Sequence, residues 1–418
     1  MTKRLRAHLK SSYSAASAAF APILRGLRLT GLLACAPRPA ASHVKTAAFA
    51  TKGDSRWALK LALLLTCMAC GMGFAAFSKS DSPLKEAMYW DKLAGNSVQC
   101  RLCPRQCVIP EGKRGYCRSR ENQGGKLYAM SYGKACALGL EPIEKAPFYH
   151  FYPGHTRLVI ATAGCNMGCK FCQNWSIAQK APEEVRYEYM TPGQVVDEAV
   201  KGGAKSICFT FTEPVTYYEY MLDIARLARG KGLKTAIVSN GYISSKPLAE
   251  LLGSMDAIKI DLKGFTKEFY RDTCNAELQP VLDSIKQAKK SGKWLEIVNL
   301  VIPTLNDNPK GIKAMSKWLH SELGPDVPLH FTRFSPMYKL SRLPPTPVNT
   351  LETARAIAIA EGMRYVYIGN VPDHPANNTY CPKCGKAVIT RNGFEVLKND
   401  TRKGKCRFCG EPIKGLLQ

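Results

Sequence analysis

Acidic residues are few for this 418-residue chain: 33 Asp and Glu stand against 59 Lys and Arg, for a formal charge of +26. The first 53 residues contain none at all and are rich in Ser, Ala and Arg, the composition of a transit peptide. Nor does any uncharged apolar run reach the roughly twenty residues of a spanning helix. Leu61–Phe77 comes nearest at 17 residues, between a signal-peptide core and a membrane span. Arg56 and Lys60 before it and Lys79 after it weakly place the rest of the chain outside the cytosol. Histidine is scarce as well, at seven residues, and His330, read as lying on a strand top, is the one candidate for a catalytic role.

The charge is uneven. Residues 1–80 carry twelve Lys and Arg against the single acid Asp54, hence +11, which leaves +15 for the other 338 residues. That balance suits an anionic substrate, an acidic electron-donor protein or nucleic acid. An apolar content of 45% is ordinary for a globular protein with a sizeable core. Seventeen cysteines are many, and they fall into tight groups, which points to metal rather than to the disulfide framework of a small secreted domain. Thiolates kept for metal need a reducing compartment, so the chemistry favours the cytoplasm. The apolar run is then a weak anchor, a removed signal or the mark of an over-extended start.

The most informative group is Cys165, Cys169 and Cys172, in Gly164-Cys-Asn-Met-Gly-Cys-Lys-Phe-Cys-Gln-Asn174. A C-x3-C-x2-C loop offers three thiolates to a cubane of four irons and leaves one iron without a protein ligand. Most electron-transfer clusters use four thiolates, so an open iron implies a substrate or cofactor bound there.

From about Arg157 short β-branched runs alternate with amphipathic stretches. Expected strands are 158–162, 206–211, 235–239, 257–261, 295–301, 329–332 and 365–368. Expected helices are 192–201, 215–231, 278–291, 309–323 and 350–361. This alternation predicts an α/β fold with a parallel sheet and right-handed crossovers. Six or seven units are fewer than the eight of a closed barrel, so a partial (β/α)6 TIM-like barrel follows, with its site at the carboxyl ends of the strands. The expected divisions are a basic leader 1–80, a Cys-rich segment 85–150, the barrel 151–375 and a C-terminal module 376–418.

The C-x3-C-x2-C spacing, with Phe171 just before its last cysteine, resembles the radical S-adenosylmethionine (SAM) enzymes. From about Lys85 onward the chain is similar to the radical SAM enzymes of the AmmeMemoRadiSam system, a family related to pyruvate formate-lyase-activating enzyme. The similarity rests on Cys100-Arg-Leu-Cys-Pro-Arg-Gln-Cys107, Pro142-Ile-Glu-Lys145, the cysteine loop with Gln173-Asn-Trp175, Thr212-Glu-Pro214, Ser239-Asn-Gly-Tyr242, Asp261-Leu-Lys-Gly264, Asn299-Leu-Val-Ile-Pro303, Gly369-Asn-Val371 and Asn378-Thr-Tyr-Cys-Pro-Lys-Cys384. It implies that Cys165, Cys169 and Cys172 hold a 4Fe–4S cluster. Thr212 and Glu213 would lie near the SAM amino group, Ser239 and Asn240 near its ribose or methionyl part, and Asp261 and Lys263 near its carboxylate. The chain departs from the family at Ser335, where a histidine is usual, which bears on substrate identity rather than on radical generation.

Two further cysteine groups flank the barrel. Cys381, Cys384, Cys406 and Cys409 form two C-x2-C knuckles of the zinc-ribbon kind, suited to a closed tetrahedral zinc site. Cys100, Cys103, Cys107 and Cys117 suit either zinc or an auxiliary cluster, with zinc favoured by the short Pro/Gly-rich loop. Cys136, Cys208 and Cys274 carry no pattern and read as core thiols.

The resemblance implies reductive cleavage of SAM and hydrogen abstraction from a substrate. It also implies the other proteins of the AmmeMemoRadiSam system as partners, while the basic charge suits an acidic flavodoxin or ferredoxin as low-potential donor. An activase that makes a glycyl radical on a partner is the alternative within enzymes. Outside them stands a non-catalytic zinc protein that binds nucleic acid, whose best support is the basic charge.

Overall fold

The computed structural model describes residues 84–417, so the leader and the apolar run at 61–77 lie outside the described residues. Among the described residues no helix is long and apolar enough to cross a membrane.

The centre of the molecule is an eight-stranded sheet. Its strands are β1 (Ala137–Pro142), β2 (Thr156–Ala161), β3 (Ser206–Phe209), β4 (Lys234–Ser239), β5 (Ala257–Asp261), β6 (Trp294–Val301), β7 (Leu329–Arg333) and β8 (Val366–Gly369). They lie in chain order across the sheet, and β1 and β8 are its two edges. β1 runs antiparallel to β2, and every later neighbour pair is parallel. Six helices make the crossovers: α1 (Pro192–Lys201), α2 (Tyr218–Gly230), α3 (Ser245–Ser254), α4 (Leu278–Lys290), α5 (Pro309–Leu323) and α6 (Val348–Ala360). Seven parallel strands joined by six helices are the connectivity expected of a (β/α)6 fold, and the sheet is open because its edges do not pair. The parallel strands are apolar almost throughout because both faces are covered, so Ser206–Phe209 is buried at every position.

Local chemistry explains the helix bounds. Thr191 caps α1, accepting from Gln194 N at 3.3 Å while the Gln194 side chain returns to Thr191 N, and Pro192 occupies the first turn. Asn308 caps α5 by accepting from Gly311 N at 3.1 Å, and Gly324 ends it at φ +79°. α2 begins three residues later than its apolar pattern suggests because Pro214–Tyr217 forms a 3-10 turn first. Neither β1 nor α3 is legible from periodicity. Gly139 and Pro142 dilute the first, and Pro247 and Gly253 the second.

The segment before β1 is a small β structure. Trp90–Lys92, Val98–Cys100 and Val108–Ile109 form an antiparallel sheet, and Arg120–Gln123 pairs with Lys126–Ala129. The hairpin turns through Gly124 and Gly125, both at positive φ, which a two-residue loop of the primed kind demands. After β8, Thr379–Tyr380, Ala387–Asn392 and Glu395–Asn399 make a second small antiparallel sheet.

That C-terminal module packs against the amino ends of the parallel strands. Tyr149, Tyr365 and Tyr367 share its apolar cluster. Arg391 enters the joint fully buried, donating to Tyr149 O at 2.8 Å, stacking on the Tyr149 ring at 4.1 Å and facing Glu144 at 3.6 Å.

A three-cysteine loop at the carboxyl end of the first parallel strand

Residues 162–174 leave β2 at its carboxyl end and carry Cys165, Cys169 and Cys172. The loop is held from behind by a wide helical turn, Tyr270–Cys274. Gly168 N donates to Cys274 O and Lys170 N to Thr273 O, each at 2.9 Å. Wide turns of this kind recur at functional sites. Within the loop Met167 N points at Cys165 Sγ, 3.4 Å away, a backbone donor aimed at a ligand sulfur. Burial pushes the Cys172 thiol up to about 11 and raises Cys165 well above the usual thiol range, with Glu213 adding to it. A hydrogen bond from Cys274 lowers Cys169 instead. Thiols bind metal as thiolates, so a metal bound here displaces their protons.

Four of the residues expected near SAM gather beside the loop, and one of them reaches Cys165. Thr212 donates to Thr162 O at 2.7 Å, just above the loop's start. Glu213 is buried and accepts from Ser239 Oγ at 2.8 Å and Asn240 N at 2.7 Å. Burial lifts its carboxyl to about 7 in spite of those donors. Asn240 in turn reaches Asn166 Oδ1 at 2.9 Å and Cys165 Sγ at 3.8 Å.

Asp261 and Lys263 form a second group, beside Cys169. Their side chains pair at 3.3 Å, and Lys259 approaches Asp261 from below at 3.2 Å. Burial alone would raise the Asp261 carboxyl, but the two ammonium groups hold it below its ordinary value. Lys263 lies over the Phe171 ring, 5.7 Å from its centre, so the aromatic residue of the loop seats a cation. The half-buried Lys263 ammonium, held by Asp261, can meet the carboxylate of an amino-acid ligand, and the buried Glu213 carboxylate its amine.

His330 is not among them. It is the second residue of β7, beside Val298 and Tyr367, and lies toward the amino ends of the strands, away from the cysteine loop. It is buried and bonds Glu296 at 2.7 Å. Glu296 also accepts from the backbone N–H groups of Tyr149 and His150 and from Trp294 Nε1. Burial would raise this carboxyl, but the His330 hydrogen bond and its other donors pull it down to about 2. His330 is thus tied to the joint with the C-terminal module.

The cysteine groups differ in how closely their sulfurs meet. Those of Cys381, Cys384, Cys406 and Cys409 all lie within 4.8 Å of one another. Cys381 and Cys409 stand 3.5 Å apart, and Cys384 and Cys406 3.8 Å. A tetrahedral ion with bonds of about 2.3 Å to sulfur needs edges of about 3.8 Å, so this group fits one ion. Among the described residues no other three ligand atoms converge so closely. Cys165, Cys169 and Cys172 therefore do not suit a single ion, and three separated thiols on one loop suit a cluster in which each takes a different iron.

Sequence reasoning missed what supports the loop. Cys274, read as a core thiol, is buried and hydrogen-bonds Cys169. Arg105 donates to Asn166 O at 2.5 Å and to Asn275 O, tying the N-terminal cysteine segment to the loop. No spacing or period signals either contact.

A model of the radical SAM superfamily matches residues 159–314 of the chain, which span the loop and both polar groups. The chain belongs to that superfamily and is a radical SAM enzyme; its members use a 4Fe–4S cluster and SAM and draw on an electron donor. Among its relatives is the "Uncharacterized protein MJ0808" of Methanocaldococcus jannaschii, 47% identical over 336 residues, which are 80% of this chain and all of that one. The pyruvate formate-lyase-activating enzyme of Clostridium pasteurianum is 25% identical over 166 residues, 38% of this chain and 68% of the relative. A solved domain of a pyruvate-formate lyase-activating enzyme from Bacteroides vulgatus superposes on 40% of this chain and all of its own, at 17% identity and a TM-score of 0.36.

Proposed function

We propose that Cys165, Cys169 and Cys172 hold a 4Fe–4S cluster with one open iron, and that SAM is bound there for reductive cleavage and hydrogen abstraction from a substrate. The observation that carries this is the three-thiol loop flanked by two polar groups of opposite task. When bound and reduced, the cluster supplies the electron that splits the sulfonium bond of SAM into methionine and a 5′-deoxyadenosyl radical. The chain's own residues bind and orient. Lys263 faces the SAM carboxylate. Glu213 and Thr212 face its amine, and a carboxyl poised near neutrality accepts that cation most readily when ionised. Ser239 and Asn240 hold Glu213 in place and line the route to the ribose.

The reading includes a low-potential flavodoxin or ferredoxin as donor, a cytoplasmic setting and work alongside the other AmmeMemoRadiSam proteins. Zinc in the C-terminal knuckles belongs to it as a structural ion. The test compares wild type with Cys169→Ala after anaerobic reconstitution. Wild type is brown and releases 5′-deoxyadenosine under dithionite, whereas the variant does neither. Release by the variant at the wild-type rate ends the assignment.

A second reading, activation of a glycyl-radical enzyme, is favoured by the similarity to the Clostridium activating enzyme. It predicts a glycyl doublet in the EPR spectrum of a co-incubated partner protein.

A further inference from the structure

The four cysteines ahead of the barrel are left over by that function, and their surroundings are unusual. Cys100, Cys103, Cys107 and Cys117 together line one cavity, with Leu102 and Ile109. Unlike the C-terminal knuckles, no three of their sulfurs come within 4.8 Å of one another, so they ring a space instead of converging on a point. Arg120 also lines the cavity and is 1% exposed. Two of its nitrogens are used, by Met88 O at 2.8 Å and Glu219 at 2.5 Å, but its buried Nε has no partner. Glu219 already balances the guanidinium charge, but its unpartnered N–H, beside four thiols, can donate to a sulfur or anion held there.

The cavity adjoins the first cysteine loop. Asn166, next to Cys165, forms part of its wall. Ser119 Oγ donates to Ala163 O at 2.9 Å, and a Cβ on Gly164 would lie 2.7 Å from Cys117 O.

We infer that Cys100, Cys103, Cys107 and Cys117 hold a second, fully thiolate-ligated 4Fe–4S cluster packed against the SAM-binding one. Four thiolates on such a cluster carry net negative charge, which supplies the acceptor that Arg120 Nε lacks, and hydrogen bonds to cluster sulfurs tune its potential. Because all four irons are taken, this cluster binds no substrate. It accepts one electron from a low-potential one-electron donor, is itself reduced by one, and is reoxidised when that electron passes to its neighbour. The electron-relay role rests on the function proposed above; the metal site does not.

The test is metal content and Mössbauer spectroscopy on the full chain after anaerobic reconstitution. Wild type holds about eight irons and the triple variant Cys165→Ala/Cys169→Ala/Cys172→Ala about four, with a 4Fe–4S spectrum retained. Cys103→Ser/Cys107→Ser holds about four as well. A triple variant free of iron but carrying one zinc more than the C-terminal knuckles account for overturns the inference. If either variant fails to fold, the wild-type count still decides, since about four irons contradict a second cluster. Loss of this inference leaves SAM cleavage by the wild type intact. Failure of the proposed function instead shows as no 5′-deoxyadenosine from a protein that holds its iron.

Discussion

Gly164→Ala tests whether the cysteine loop is built on the N-terminal segment as the structure has it. Gly164 sits at φ +107°, where a side chain is strained, and an added Cβ meets Ser119 Oγ and lies 2.7 Å from the Cys117 carbonyl oxygen. The strain costs about 1–2 kcal/mol, and forcing a methyl group against backbone costs about 1–3 kcal/mol more. The sum is about 2–5 kcal/mol. Gly203→Ala supplies the control, because Gly203 has φ +67° and nothing within 4 Å of the new Cβ, so it bears only the strain. At about 2 °C per kcal/mol for a chain of this size, the first variant melts about 4–10 °C below wild type and the second about 2–4 °C. Circular dichroism melts of the cluster-free protein read the difference, and reconstitution then shows Gly164→Ala holding less iron than the control. Equal melts and equal iron in the two variants refute the packing of Cys117 on this loop.

The other predictions concern charge, metal and the opposite end of the sheet. Lys263→Met leaves iron content unchanged but weakens SAM about ten- to a hundredfold in equilibrium binding, because a charge-assisted contact is lost; unchanged affinity removes Lys263 from the site. Cys406→Ser lowers zinc by one ion per chain in elemental analysis while iron stays constant, and an unaltered zinc count contradicts a tetrahedral site there. Acid should loosen the joint between sheet and C-terminal module. Burial holds His150 down to about 4, so between that value and about 6.5 the unfolded chain binds a proton that the fold does not, and stability falls as pH falls. From pH 7 to pH 5 the loss is about 2 kcal/mol for this residue. Glu296, held near 2, stabilises the fold above its ordinary carboxyl range and loses that contribution only as pH drops from about 4.5 toward 2. A cluster-free protein whose melting temperature is flat between pH 7 and pH 5 sinks this account of His150.

Most of the sheet was legible because buried parallel strands leave continuous apolar runs. The expected strand at 257–261 and helices at 192–201 and 309–323 match the structure's Ala257–Asp261, Pro192–Lys201 and Pro309–Leu323. The cysteine loop was legible through spacing, whereas Thr212, Glu213, Ser239, Asn240, Asp261 and Lys263 were named through the family resemblance, and they lie at strand ends on the side of the loop. His330 was misplaced because a polar residue in a short strand looks alike from either end. Only the folded partners, Glu296 from β6 and Tyr149 from before β2, reveal that it faces the C-terminal module. The contact of Cys117 with Gly164 joins residues 47 positions apart through one close backbone approach, and no periodicity encodes that.

The claim on which the account turns is that the Cys165–Cys172 loop leaves an iron free for SAM. Electron–nuclear double resonance of the dithionite-reduced protein, with SAM labelled at its amine nitrogen and carboxylate carbon, examines that iron directly. Hyperfine couplings from both labels are expected. Spectra that do not change when labelled SAM is added, from a protein holding its reduced cluster, contradict it.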